Sequence, residues 1–62
     1  GVSINSAGPA ELTTLPGVGA ATAAAIVAHR EASGPFASVE GLMDVKGIGP
    51  AKFEALRDLV TL

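Results

Sequence analysis

The sequence predicts an all-α domain made of two copies of one unit, a short helix, a tight turn and a longer helix. Three observations carry that expectation. An internal repeat aligns Gly17 with Gly47, and with it Leu12 on Leu42, Leu15 on Val45, Val18 on Ile48, Gly19 on Gly49, Ala21 on Ala51 and Ile26 on Leu56. Apolar residues recur at helical spacing behind each glycine pair. Alanine supplies twelve of the hydrophobic residues; it is the strongest helix former, and its small side chain lets helix axes approach closely.

The elements follow in chain order. Residues 1 to 7 read as extended. Gly8 caps a first short helix, with Pro9 at its first position, Glu11 in its first turn and Leu12 facing inward. Pro16 and Gly17 break that helix. A second helix is expected from about Ala20 to Ser33, with Ala23, Ile26 and Val27 on one face, and Gly34-Pro35 ends it. Ser38 is placed as the N-cap of a third short helix, with Val39 and Leu42 inward and Gly41 weakening it. The fourth helix begins at Pro50, with Gly49 at its cap and Phe53, Leu56, Leu59 and Val60 as its apolar face. With no Trp or Tyr and only Phe36 and Phe53 as aromatics, tight packing of small helices is expected rather than an aromatic core.

Length and composition bound the function. A chain of 62 residues is one domain, with a modest core and a narrow stability margin. It has no cysteine, which excludes disulfides and thiolate metal sites. The longest apolar run, Ala23 to Ala28, falls far short of the roughly 20 residues a membrane span needs. The chain opens on Gly1 rather than Met, as expected of a piece of a longer protein. Net charge is -2, which argues against binding nucleic acid through a simple basic patch.

The two turns, Leu15-Pro16-Gly17-Val18-Gly19 and Val45-Lys46-Gly47-Ile48-Gly49, suit a phosphate without needing that patch. Glycine permits a sharp turn and a close approach by a bulky ligand. The residue between the glycines is apolar and anchors the turn in the core. The second glycine opens a helix whose first amides lack intrahelical partners, and the positive end of the helix dipole lies there. Lys46 and Lys52 flank the second turn, whereas the first has no adjacent basic residue and Arg30 lies at the far end of its helix. The second turn is therefore expected to bind more strongly, since a charge-assisted contact is roughly twice as strong as a neutral one.

Other readings fit less well. An isolated Gly-x-Gly is more often plain helix punctuation, but two copies in matched context reverse that balance. A dinucleotide fingerprint lacks its third glycine, where Thr22 and Lys52 stand, and lacks a preceding strand. A P-loop lacks its Gly-Lys-Ser/Thr. His29, two residues past Val27, reads as solvent-facing, and the scattered carboxylates read as solvated helix faces, with Glu54 and Arg57 as an i,i+3 pair. Nothing is arranged for acid–base or nucleophilic catalysis, so no enzyme activity, cofactor or small-molecule substrate is expected.

These residues resemble the tandem helix-hairpin-helix, or (HhH)2, family, and within it the DNA-binding domains of bacterial competence DNA receptors. The likeness spans nearly the whole chain: Ile4-Asn5-Ser6-Ala7, Glu11-Leu12, the first glycine turn, His29-Arg30-Glu31, Gly34-Pro35-Phe36, Ser38-Val39 with Leu42, and the second glycine turn. It implies one domain over residues 1–62 with four to five short helices about a pseudo-two-fold axis, hairpin one at about 9–33 and hairpin two at about 38–61. It also implies sequence-independent contacts to double-stranded DNA at Gly17, Val18, Gly19, Ala21 and Thr22, and at Lys46, Gly47, Ile48, Gly49, Ala51 and Lys52. Some family hairpins hold a monovalent cation through backbone carbonyls, which here would be those of Thr13, Leu15 and Val18 or of Met43, Val45 and Ile48. The implied parent protein is anchored outside the cytoplasmic membrane and captures DNA for uptake, while this segment makes no membrane contact.

Two residues depart from the family pattern. Thr22 stands where relatives often carry lysine, and Phe53 replaces a frequent small residue, which predicts a changed distance for the fourth helix. Other members keep the fold for protein association, so fold alone does not settle function. The rival expectation is a protein–protein or scaffold module that binds no DNA. A positive hairpin face favours DNA, and a negative one favours association.

Overall fold

The computed structural model describes all of residues 1–62 and gives the order β1 (Val2–Ser3), α1 (Pro9–Leu12), α2 (Ala20–Ser33), a 3-10 helix (Val39–Asp44), α3 (Pro50–Leu56), a second 3-10 turn (Arg57–Leu59) and β2 (Val60–Thr61). Gly8 is the extended N-cap of α1 and Pro9 its first residue, as expected. The helix stops after one turn because Thr13 and Thr14 fold back on it. Thr13 Oγ1 donates to the Ala10 carbonyl at 2.8 Å and Thr14 Oγ1 to that of Glu11 at 2.6 Å. The hydroxyls add partners for the last helical carbonyls, and that of Glu11 also accepts the Thr14 amide at 3.1 Å. Alanine-rich α2 has the bounds the sequence predicts, and Gly34 ends it at φ 86°.

The second copy is tighter than the first. Its leading helix is 3-10 rather than α, and Ser38 sits at the N-cap without a side-chain cap bond. Gly41 has a packing reason beyond its low helix propensity: a Cβ there would lie 3.0 Å from Phe36 Cδ1. The Phe36 ring lies against that stretch of backbone, and a side chain there would push the ring by a few tenths of an ångström.

Both chain ends differ from expectation. The last α-helix ends at Leu56, so Leu59 and Val60 do not extend its apolar face; Leu59 is 45% exposed. Val60 and Thr61 instead pair in parallel with Val2 and Ser3. The amide of Ile4 donates to the Thr61 carbonyl at 2.9 Å, and Ser3 Oγ to that of Leu62 at 2.8 Å. β-Branched Val60 and Thr61 favour this extended pairing over helix. Residues 1 to 7 are extended only at Val2–Ser3, because Ile4–Ser6 turn back and the Ala7 amide donates to the Ser3 carbonyl at 2.8 Å.

Repeat partners build most of the core. Leu12 and Leu42, Leu15 and Val45, Val18 and Ile48, Ala23 and Phe53, and Ile26 and Leu56 are all buried. Both phenylalanines are buried in the core, beside eleven aliphatic residues. Phe53 fills the place that Ala23 holds in the first copy, so bulk on one side of the pseudo-dyad meets a small residue on the other.

The segment between the hairpins is tied to the N-terminus. Asn5 donates from Nδ2 to the Phe36 carbonyl at 3.1 Å and accepts from the Phe36 amide at 2.7 Å. Arg30 donates to the Ile4 carbonyl at 3.1 Å. His29, expected to face solvent, is half-buried and stacked on Phe36, with ring centroids 5.0 Å apart and planes 6° from parallel. The turn at Gly34 folds Phe36 back over the end of α2 and covers the histidine. Its Nδ1 is buried without a hydrogen-bond partner.

Candidate nucleic-acid interface

Each hairpin is built by one turn with the same geometry. The Val18 amide donates to the Leu15 carbonyl at 3.1 Å, and the Ile48 amide to that of Val45 at 3.1 Å. Gly17 at φ 77° and Gly47 at φ 98° occupy the third turn position, the pattern of a type II turn. Only glycine adopts that conformation without strain. Pro16 suits the second position of the first turn, and Lys46 stands there in the second. Val18 and Ile48 are buried and pin the turns to the core.

Beyond each turn the backbone presents unused donors. Gly19 and Gly49 are extended N-caps, and their carbonyls accept from Ala23 and Phe53 at 2.9 Å. No protein acceptor takes the amides of Gly17, Gly19, Ala20, Ala21 and Thr22, or those of Gly47, Gly49, Ala51 and Lys52. Pro50 has no N–H. Sequence reasoning named all of these amides except that of Ala20.

An open groove joins the two hairpins. It is lined by Pro16, Gly17, Gly47, Gly49, Pro50, Ala51, Lys52 and Ala55. Its one charged lining residue is a lysine, and no carboxylate lines it. Lys46 is exposed beside it. The remaining cations are engaged: Arg30 holds the Ile4 carbonyl, and Arg57 forms the expected pair with Glu54 at 3.3 Å. No three His, Asp or Glu side chains converge as metal ligands. Among the carbonyls considered for a cation, those of Leu15 and Val45 each already accept one turn hydrogen bond.

One expectation needs correction. The first hairpin is not without a basic neighbour. A Cβ at Gly17 would lie 3.4 Å from Lys52 Cε and 3.8 Å from its Cγ, so the lysine stem crosses from α3 onto the first turn. The reciprocal contact holds as well, with Thr22 Oγ1 at 3.4 Å from the Cβ position of Gly47. Lys52 and Thr22 are repeat partners, as are Gly17 and Gly47, so the two contacts express the pseudo-two-fold axis. Aligning the copies in sequence pairs equivalent positions but does not reveal which of them touch across the axis.

With this architecture the chain belongs to the helix-hairpin-helix family, whose model, described as the helix-hairpin-helix motif, matches residues 1–61. It is 41% identical over 61 residues to ComE operon protein 1 of Bacillus subtilis (strain 168), a match covering 98% of this chain and 30% of that protein. It is also similar to an uncharacterized protein of Haemophilus influenzae, at 43% identity over 95% of this chain and 54% of the other. Human endonuclease/exonuclease/phosphatase family domain-containing protein 1 is 46% identical over 90% of this chain and 10% of its own length. The chain thus spans only a part of each of these relatives.

Proposed function

We propose that this domain binds double-stranded DNA by its phosphate backbone, without reading sequence. The observation that carries the reading is the paired set of unsatisfied amides at Gly17, Gly19, Ala21 and Thr22 and at Gly47, Gly49, Ala51 and Lys52. Of these residues, Gly17, Gly47, Gly49, Ala51 and Lys52 line a groove between the hairpins whose single lining charge is positive. Val18 and Ile48 act from below, as buried anchors of the two turns. Backbone N–H groups are apt for phosphate oxygens, and phosphates carry no sequence information. Lys46 and Lys52 supply the charge. A monovalent cation at the carbonyls of Thr13, Leu15 and Val18, or of Met43, Val45 and Ile48, would add to it.

The resemblance to competence DNA receptors extends the proposal: a longer, membrane-anchored parent presents this domain outside the cytoplasmic membrane to capture DNA for uptake. In relatives named for endonuclease, exonuclease or phosphatase domains, the matching segment is a tenth of the protein. For the present domain we assign binding rather than catalysis.

Titration of fluorescent duplexes of equal length and scrambled sequence tests the proposal. Affinities within a few-fold of one another are expected, on the order of 10⁻⁴ to 10⁻⁶ M at physiological salt, and two free lysines give a log–log salt slope near about -1.8. A reproducible preference for one sequence, or a slope requiring six or more ion contacts, contradicts it. The net charge of -2 favours a protein-association module as the second reading. Absence of binding at low salt moves that reading to first place.

A further inference from the structure

We infer that Lys52 serves the opposite hairpin as well as its own, and that positions 22 and 52 are interchangeable seats, one on each side of the pseudo-two-fold axis, for a single charge. The inference rests on the DNA-binding reading above. Between Glu11 and Arg30 the first hairpin carries no charged residue. The Lys52 stem nevertheless packs on Gly17 along its length, with Cε nearest, so the ammonium one bond further lies at the first turn. Half-burial of Lys52 fits this course, with the aliphatic stem covered and the charged head delivered to water. Thr22 occupies the mirror seat over Gly47 with a side chain too short to carry a charge. The domain is thus symmetric in backbone and asymmetric in charge. A phosphate held by the first hairpin is charge-assisted by a residue of the second.

The experiment compares the unaltered domain with Lys52→Thr, Thr22→Lys and the double variant that exchanges the two side chains. In the free protein, Lys52→Thr should shift the Gly17 amide resonance and Thr22→Lys that of Gly47, which reads the crossing without any ligand. In duplex titrations, Lys52→Thr should weaken binding about tenfold at low salt and flatten the salt slope by about 0.9. Thr22→Lys should steepen the slope by the same amount. The exchange variant should return both affinity and slope close to the unaltered values, because the charge has moved only across the axis. Circular dichroism melts confirm that each variant is folded. A folded exchange variant that binds as weakly as Lys52→Thr overturns the shared-seat inference and leaves the DNA reading standing. Failure of the unaltered domain to bind any duplex overturns both.

Discussion

The two glycines of each hairpin have separate tasks, and their surroundings distinguish them. Gly17 and Gly47 have positive φ, so any other residue strains the turn by about 1–2 kcal/mol. Gly19 and Gly49 have φ of -93° and -90°, and a Cβ on either would meet nothing within 4 Å. The fold does not require glycine at Gly19 or Gly49; on the proposed reading, close approach by a phosphate does. Gly17→Ala and Gly47→Ala should therefore lower the melting temperature. Gly19→Ala and Gly49→Ala should leave it within a few degrees, because a slightly poorer N-cap and a stiffer unfolded chain offset each other. The same two changes should weaken duplex binding at least several-fold. Retained binding in Gly19→Ala together with Gly49→Ala would show that no phosphate approaches there. At this scale the site glycines were legible, because the repeat marks them twice. The surroundings of His29 and the reach of Lys52 were not, since both depend on residues that folding brings back over them.

The side-chain hydrogen bonds that hold the inter-hairpin segment come from one residue. Asn5 satisfies both the amide and the carbonyl of Phe36, the residue whose ring packs on Gly41 and His29. Asn5→Ala leaves both partly buried backbone groups without protein partners, at a cost of about 1–3 kcal/mol. In a domain of this size each kcal/mol corresponds to about 4–8 °C of melting temperature. A thermal melt should show that drop, with duplex affinity unchanged well below the transition, because Asn5 is not among the hairpin residues. An unchanged melt would mean the segment is positioned by Phe36 packing alone. Helix α2 could be bounded from sequence because alanine propensity, apolar spacing and Gly34 agree. The chain's last residues could not. The spacing of Phe53, Leu56 and Leu59 continues a helical pattern, and only pairing with Val2 and Ser3 at the other end of the chain shows where the helix stops.

Over the whole molecule, net charge misrepresents the face that matters. The balance is -2, yet no carboxylate lines the groove between the hairpins. Of the four Lys and Arg residues, Arg30 is bound to the Ile4 carbonyl and Arg57 pairs with Glu54 at the surface, while Lys46 and Lys52 stand at the hairpins without an ion-pair partner. On the proposed reading, long-range attraction to DNA is accordingly weak, and the amides carry the contact at short range. The two-fold plan of core and hairpins was readable from the repeat, because equivalent core positions are apolar in both copies. The charge asymmetry was readable too, since Lys46 and Lys52 align with Pro16 and Thr22; the reach of Lys52 onto the first turn emerges only when side chains are placed across the axis. The most direct test of the central claim is to follow the backbone amide resonances of the isotope-labelled domain as a short duplex is added. The account predicts that the largest shifts fall together on Gly17, Gly19, Ala21, Thr22, Gly47, Gly49, Ala51 and Lys52, and that they are the same for duplexes of unrelated sequence. Shifts confined to one hairpin, clustered on another face, or absent at low salt would contradict it.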